Sequence, residues 1–499
     1  MQFSTSICSV LLASAGIFAA VPDTRLIDAA KRNDRAAVRA LILQNVDVNS
    51  AAPDGATALH WAAEWDAVES AAALVAKGAN VKAANVHGAT PLFLACANGG
   101  AAMVDLLLKA GVDPNSASPE GETALMTAAR TGRKDSVKLL LARGVEVNRK
   151  ESWRGQTALM WAAAEGHAPV VELLVEFGAD FRARSNGGFT PLLFAVREGR
   201  MEVVRALLKA GADVNESLPA RDRRRPGAST TEPASVRAGS SALHLAVSNA
   251  HFELAALLLD AGANPNADGP GWTALHTMTW VRKPGTGSND PAPPGSGTID
   301  SLTLVRKLAA KGANLNAQMR IRSNAGLSAL NTIGATPFLM AARCADAEYM
   351  RLLAALGADP LLPNADKTTP LIVAAGVGTR SPEEDAGTES EVLEAVKAAL
   401  ELGNDINAVD AKGETVMHGP AYKHLPAVVF LLAERGAKID VWNRKNSIGW
   451  TPLRVAEGVN RTGNFRLSPP TAAAIRQVMS AAGVSTELDA GPVDTKTVR

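Results

Sequence analysis

A short block built around Thr and Leu recurs along the chain at a spacing of 33 or 34 residues. It reads GATALHWAAEW at 55–65, GATPLFLACAN at 88–98 and GETALMTAART at 121–131, with further copies at 155–165 and 188–198. The Leu and two Ala after each Thr fall on one helical face at i, i+3 and i+4. A helix this short cannot bury its apolar face alone, so successive units must stack on one another.

A second block follows each first block and ends in Gly, about 21 residues after the Thr: LLLKAGVDPN, LLLARGVEVN and LLKAGADVN are examples. It predicts a second, more apolar helix that ends at the Gly, which supplies a positive φ. The Thr stands where a helix N-cap belongs. The period and the T-P-L-H-x-A pattern resemble the ankyrin repeat. The resemblance implies an all-α solenoid of stacked ankyrin repeats, each a helix–turn–helix with a β-finger.

Following the Thr position through the chain predicts about twelve repeats over residues 22–483. The remaining positions are Thr24, Ser241, Thr273, Thr336, Thr369, Thr415 and Thr451. In the first repeat Asn45 replaces the terminal Gly, and polar residues of its first helix suit an outer cap. Residues 484–499 are predicted to be a disordered tail.

Long insertions interrupt this spacing in five places, near 216–237, 282–298, 317–331, 377–388 and 458–469. The first and third fall in β-fingers. The other three fall in the turn between the two helices of repeats 8, 10 and 12, because the repeat resumes after each. All three therefore lie on one edge, where an excursion of about 30 Å can bridge loops roughly 20 Å apart. They are predicted to form a ledge, or else to be tolerated insertions without function.

Two of the insertions carry concentrated charge. The finger insertion after repeat 6 contains the basic candidates Arg223, Arg224 and Arg225, and the insertion of repeat 10 contains the acidic candidates Glu383, Glu384 and Asp385. Three Arg at a finger tip are more often a solvated loop than a nucleic-acid site. The sequences SPEE and TESE in repeat 10 also predict helix starts by the capping-box pattern.

The N-terminus contains an apolar run over residues 7–21 that is too short to span a bilayer and suits a signal peptide over 1–20. It has no Lys or Arg before the run, so an apolar N-terminal arm is the alternative. The expectation is export to the periplasm or beyond a bacterial cell, with a cytoplasmic location as the alternative. Cys96 and Cys344 stand too far apart in sequence to indicate a disulfide framework.

The sequence contains no pattern of residues typical of a catalytic or metal-binding site. His60, His244, His276 and His418 all stand at the His of T-P-L-H, where the ankyrin resemblance implies hydrogen bonds between neighbouring fingers. No zinc spacing, phosphate-binding loop or hydrolase motif occurs. Lys and Arg number 51 against 50 Asp and Glu, which gives no overall field for nucleic acid. We expect no enzyme activity, no cofactor, no metal, and a monomer not inserted in a membrane once the signal is cleaved.

Aromatic residues are few, at 4%, so their positions are informative. Seven occupy positions that, by the resemblance, face a partner, at the finger tips and the end of helix 1. They are Trp65, Trp153, Phe189, Trp272, Trp280, Tyr422 and Trp450. Exposed Trp and Tyr are enriched at binding hot spots. The alternative is that each ring packs across the next finger; Trp61 and Trp161 are interpreted as core residues.

The sequence therefore predicts a scaffold that binds another protein through a concave face of fingers and first helices, with the inserted loops as a second contact edge. Two alternatives remain open. One is a secreted effector that acts on a protein of another cell. The other is a small-molecule or sugar receptor that uses the aromatic residues for stacking. The identity of the partner lies beyond what a repeat pattern specifies.

Overall fold

Helix pairs follow one another along the chain at the predicted period. The computed structural model describes residues 23–219, 238–284, 293–322, 329–379, 382, 386–458 and 467–487. In these residues the helices form twelve pairs, with one additional short helix between the eleventh and twelfth. The predicted fold class, an all-α stack of about twelve repeats with long inserted loops, is confirmed.

The chain divides into two compact units. The N-terminal unit holds the described residues up to Ala162 together with Glu172–Ala179, and the C-terminal unit holds Ala163–Val171 and the described residues from Asp180 onward. In the N-terminal unit, first helices pack on first helices and second helices on second helices. Its helices are α1 (Arg25–Lys31), α2 (Arg35–Leu43), α3 (Ala58–Glu64), α4 (Val68–Ala76), α5 (Pro91–Asn98), α6 (Ala101–Lys109), α7 (Ala124–Arg130) and α8 (Lys134–Ala142), followed by α9 (Ala158–Glu165) and α10 (Ala168–Glu176), which have residues in both units.

The C-terminal unit continues the same arrangement. Its helices are α11 (Pro191–Arg197), α12 (Met201–Lys209), α13 (Ala242–Ser248), α14 (Phe252–Asp260), α15 (Ala274–Arg282), α16 (Ser301–Ala310), α17 (Pro337–Arg343), α18 (Ala347–Ala355), α19 (Pro370–Ala374), α20 (Glu389–Glu401), α21 (His418–Lys423), α22 (Pro426–Glu434), α23 (Ile439–Trp442), α24 (Pro452–Ala456) and α25 (Pro469–Ala481). First helices again stack in order, α11 on α13, α13 on α15 and α15 on α17.

The repeated Thr starts the first helix of most repeats by capping it. Thr190 and Thr336 have extended backbones, and their hydroxyls accept the N–H three residues on at 3.2 Å. Each such cap contributes about 1 kcal/mol to helix stability. Some repeats depart from the pattern. Thr24 makes no side-chain cap bond, and α21 begins three residues after Thr415.

The ends of the second helices hold the register of the stack through an Asn ladder. In the C-terminal unit, the N–H of Asn264 donates to the side-chain oxygen of Asn215 at 2.7 Å, and that of Asn314 to Asn266 at 2.6 Å. The N–H of Asp359 donates to Asn316 at 2.8 Å. These bonds cross the insertions near 216–237, 282–298 and 317–331. The insertions therefore leave the stacking of the helices unchanged.

Candidate protein-binding surface

The four histidines of the repeated motif tie neighbouring fingers together. His276 places Nδ1 3.0 Å from the hydroxyl of Thr273, and its Nε2 donates to the carbonyl of Ala335 at 3.0 Å. His60, His244 and His418 make the equivalent pair of bonds. Burial lowers the pKa of His244, His276 and His418 to about 4. They are neutral at pH 7 and structural, as the resemblance implied.

The described residues contain no group of three or more His, Cys, Asp and Glu side chains that could hold a metal ion. Cys96 is buried, and burial raises the pKa of its thiol to about 12, so it is not a reactive nucleophile. Within the same part of the chain, every helix is too short or too polar to cross a membrane.

Three of the predicted partner-facing rings are core residues, and the prediction that they are exposed is wrong. Phe189, Trp272 and Trp450 are only 7%, 5% and 8% exposed. All three stand immediately before the capping residue of their repeat. Other residues at this position, such as Ala335 and Gln156, are buried too. The position points toward the helices of the stack rather than to the tip of the finger.

An insertion further along the chain covers Trp272 and Trp280. Trp272 donates its indole N–H to the hydroxyl of Thr277 at 3.2 Å, and its ring meets that of Trp280 edge-on at 5.3 Å. Met319 and Leu330, from the described ends of the 317–331 insertion, belong to the same buried cluster. Trp280 is therefore partly buried against this cluster, and the chain itself occupies the face on which a partner was predicted.

Tyr422 was also predicted to face a partner, and it too is buried, at 7% exposure. Its hydroxyl donates to Oε1 of Glu414 at 3.0 Å, and the amide of Asn446 donates to the same oxygen at 2.9 Å. Burial raises the pKa of the Glu414 carboxyl to about 7. The ring is held inside a polar network between the last two repeats and presents no surface to a partner.

Trp65 and Trp153, both in the N-terminal unit, are the two predicted rings that are well exposed. Trp65 lies at the C-terminal end of α3, is 48% exposed, and donates its indole N–H to the carbonyl of Lys31 at 3.1 Å. Trp61, one turn earlier, is partly buried with the ammonium of Lys31 5.4 Å from its ring centre. Trp161 is likewise partly buried, beneath the guanidinium of Arg130.

Trp153 is 75% exposed at the tip of a finger that a buried carboxylate holds in shape. Glu151, itself 7% exposed, accepts the backbone N–H of Trp153 at 2.7 Å, of Arg154 at 2.9 Å and of Gln156 at 2.7 Å. The guanidinium of Arg154 lies 4.2 Å from the centre of the Trp153 ring. The indole is therefore presented to solvent on a fixed turn with a cation beside it.

Exposed apolar residues continue along the finger tips of the N-terminal unit. Four residues before the capping Thr, successive fingers carry Pro53, Val86, Pro119 and Trp153, and all four are exposed. Backbone bonds join neighbouring fingers: the N–H of Val86 donates to Asp54 and that of Ser152 to Glu120, each at 2.8 Å. We call these four residues the tip row. Sequence analysis found only Trp153, although the fixed distance from Thr would have identified the others.

The structure does not describe the charged loop candidates. Arg223, Arg224, Arg225, Glu383, Glu384 and Asp385 lie outside the described residues. Of the two predicted helix starts in repeat 10, the one at Thr388 is confirmed as a capping box with Glu391. Lys283, at the start of the 282–298 insertion, forms a salt bridge with Glu391 in the first turn of α20, the helix that follows the 377–388 insertion. This contact lowers the pKa of the Glu391 carboxyl to about 2. Beside it, Arg282 binds Asp346 with Nε to oxygen at 2.6 Å.

Comparison with known proteins identifies the repeats. The family model described as ankyrin repeats (3 copies) matches residues 4–85, 26–118, 83–151 and 149–217, and the model described as ankyrin repeat matches 238–269. The crystal structure of the human ASB11 ankyrin repeat domain is 30% identical in sequence. The alignment covers 48% of this chain and 98% of that chain, with a TM-score of 0.40. The chain belongs to the ankyrin repeat family.

Ankyrin repeats are in general non-enzymatic scaffolds for protein–protein interaction. In these general terms, the chain is a protein-interaction scaffold. The ankyrin repeat architecture also explains why few finger residues are available to contact a partner. The capping Thr, the His of the motif, the residue before the Thr and the ladder Asn all bond within the stack. What remains for a partner on the fingers of the N-terminal unit is chiefly the tip row.

Proposed function

We propose that this ankyrin repeat protein binds another protein through the finger tips and first-helix ends of its N-terminal unit. The observation that carries the proposal is Trp153, which is 75% exposed on a turn fixed by Glu151. Burying a Trp side chain removes on the order of 200 Å² from water and contributes about 4 kcal/mol to binding. Because the turn is already ordered, little conformational entropy is lost on contact.

Trp65 and Val86 complete the proposed surface. Trp65 is held by its bond to the Lys31 carbonyl and keeps nearly half of its area exposed. Val86 is 67% exposed in the tip row. Exposed large apolar residues on fixed backbone, spread over several fingers, suit a partner that lies along them rather than one that enters a pocket.

The test is recovery of a partner from an extract of the source organism by immobilised protein. We expect Trp153→Ala to reduce recovery strongly, and Trp65→Ala or Val86→Asp to reduce it further in combination. Leu43→Ala is the matched control, because Leu43 is 73% exposed at the end of α2, away from the fingers. Circular dichroism establishes that each variant is folded. Recovery that is unchanged in the folded triple variant would refute the proposed surface.

As a second contact edge we propose the insertions of repeats 8, 10 and 12. The salt bridge between Lys283 and Glu391 supports this, since it joins the start of the repeat 8 insertion to the helix that directly follows the repeat 10 insertion. The test replaces residues 285–292 with a short Gly-Ser segment and keeps both flanks. Lower partner recovery by a folded variant would support a contact there, and unchanged recovery would indicate a tolerated insertion.

We also propose export through the predicted signal peptide of residues 1–20, which lie outside the described residues, and a monomeric protein without catalytic activity. Cell fractionation with N-terminal sequencing tests export: a processed protein in the periplasm or medium supports it, and an unprocessed cytoplasmic protein refutes it. Light scattering on the purified protein tests the monomer. No contact among the described residues favours the effector or the small-molecule receptor, so neither is proposed.

A further inference from the structure

The finger that carries Trp153 is a basic tip. Its residues 149–154 read RKESWR, with Arg149, Lys150 and Arg154 as cations and Glu151 as the single acid. The Glu151 carboxylate is buried and accepts hydrogen bonds from three backbone N–H groups, so its negative charge is not presented to a partner. On the preceding finger, Glu120 adds one exposed carboxylate. Residues 149–154 therefore present three cations, and their one carboxylate is buried.

The other exposed tryptophan has the opposite surroundings. Trp65 is flanked in sequence by Glu64 and Asp66, both with exposed or partly exposed carboxylates. Lys31, whose carbonyl accepts the indole N–H of Trp65, has its ammonium over the ring of Trp61 instead. The two exposed indoles of one unit therefore favour partner segments of different charge.

The contact between Arg154 and Trp153 fixes where one of these cations lies relative to the exposed indole. The central carbon of the Arg154 guanidinium lies over the indole, 4.2 Å from the ring centre. A guanidinium in this arrangement keeps its N–H edge available for a carboxylate, which it binds with two parallel hydrogen bonds. The exposed part of the ring next to it suits an apolar or aromatic side chain of the same partner.

We propose that the basic tip, residues 149–154, binds an acidic segment of a partner protein in which carboxylates stand next to an apolar or aromatic side chain. This inference rests on the proposed protein-binding function and specifies the class of partner for one finger. Arg154 receives a carboxylate, Trp153 packs against the apolar neighbour, and Arg149 and Lys150 add long-range attraction.

The test uses a fluorescein-labelled copolymer of glutamate and tyrosine as the probe, with a copolymer of lysine and tyrosine as its charge-reversed counterpart. Fluorescence anisotropy is followed at about 50 mM and about 300 mM NaCl, because an exposed ionic contact weakens with salt. We expect the acidic copolymer to bind and the basic one not to bind. Trp153→Ala and Arg154→Glu are each expected to weaken binding at least about tenfold.

Two matched variants act as controls. Lys138→Glu makes the same charge change on an exposed position of α8, the second helix of the repeat before the basic tip. Leu43→Ala removes an exposed apolar side chain at the end of α2, away from the fingers. Both are expected to leave the affinity within about twofold, since neither is part of the contact. An equal loss with Lys138→Glu would show attraction by net charge alone and would overturn the proposal, as would an equal loss with Leu43→Ala.

Failure of this inference is distinguishable from failure of the proposed function. If Trp153→Ala releases the natural partner but the acidic copolymer does not bind, protein binding stands and the acidic class is wrong. If copolymer binding depends on Trp153 and Arg154 while partner recovery depends on neither, the tip binds acidic segments and the proposed surface for the natural partner is wrong. Binding of the basic copolymer overturns the inference outright.

Discussion

Glu151→Gln is the change that most directly tests how the Trp153 finger is held. In the native turn, Glu151 Oε2 accepts the N–H of Trp153 and Oε1 accepts that of Gln156, each at 2.7 Å. The N–H of Arg154 lies 2.9 Å from both oxygens. A Gln amide keeps one acceptor but places an NH₂ donor against an N–H donor, and it removes the negative charge that strengthens the remaining bonds.

The magnitude follows from these contacts. Hydrogen bonds to a charged group contribute about 1.5–3 kcal/mol each, against roughly 0.5–1.5 kcal/mol for neutral ones. Gln156 is buried, so its N–H cannot turn to water, whereas those of Trp153 and Arg154 become hydrated when the turn opens. We therefore expect local stability of the finger to fall by about 2 kcal/mol, which increases the open fraction roughly thirtyfold.

Amide hydrogen exchange measures this directly. Exchange at residues 153, 154 and 156 is expected to accelerate about thirtyfold, while the amides of α8 change little. Glu120→Gln is the matched control, because it makes the same chemical change on the preceding finger, where the side chain does not brace the turn. Exchange of the three amides that stays within about threefold of the native rate would refute the bracing role of Glu151.

Glu151→Gln also distinguishes the effect of the turn's rigidity on binding from the effect of its charge. Removing a carboxylate from the basic tip makes its net charge more positive, so electrostatics alone predicts tighter binding of an acidic probe. A loosened turn must be reordered when it binds, which predicts weaker binding. We expect weaker binding by several-fold in Glu151→Gln, so the sign of the effect decides which property of the finger matters.

Four further outcomes are expected. Trp272→Ala removes a ring buried beneath an insertion and should lower the free energy of unfolding by about 3–5 kcal/mol in urea titrations. Arg282→Met leaves the Asp346 carboxylate, 2% exposed, without its cation and should cost about 3 kcal/mol by the same assay. The three histidines with a pKa near 4 bind fewer protons folded than unfolded, so the stability that they contribute should be full above pH 6.5 and be lost as the pH is lowered toward 4. His276→Gln should flatten that slope. Replacing 285–292 should change stability by less than about 1 kcal/mol.

The repeat architecture was predictable from sequence because it depends on residues that act locally and recur in most repeats. A capping Thr, small Ala on one helical face and a Gly after the second helix each act within a few residues of their own position. The spacing alone therefore located the helix pairs of all twelve repeats. The Asn ladder was missed, although an Asn recurs after the helix-ending Gly in most copies.

The exposure of the aromatic residues was not predictable in the same way, because it depends on distant parts of the chain. Trp272 is covered by Met319 and Leu330, which belong to the 317–331 insertion, about 50 residues further along the chain. Phe189 could have been assigned correctly from register, since it stands directly before its Thr, as Trp272 and Trp450 do. Treating every finger residue as a tip residue caused that error.

The contrast between two positions on one finger explains how binding and stability are separated in this protein. The residue directly before the capping Thr is buried in most repeats, so a change there alters the core and costs stability. The residue four before the Thr is exposed along the N-terminal unit, and its backbone is fixed by bonds between fingers. A substitution there changes what the surface can contact while the stack stays intact. For this reason Trp153→Ala should cost less than about 1 kcal/mol of stability yet most of the affinity, and a large loss of stability would show that Trp153 belongs to the core.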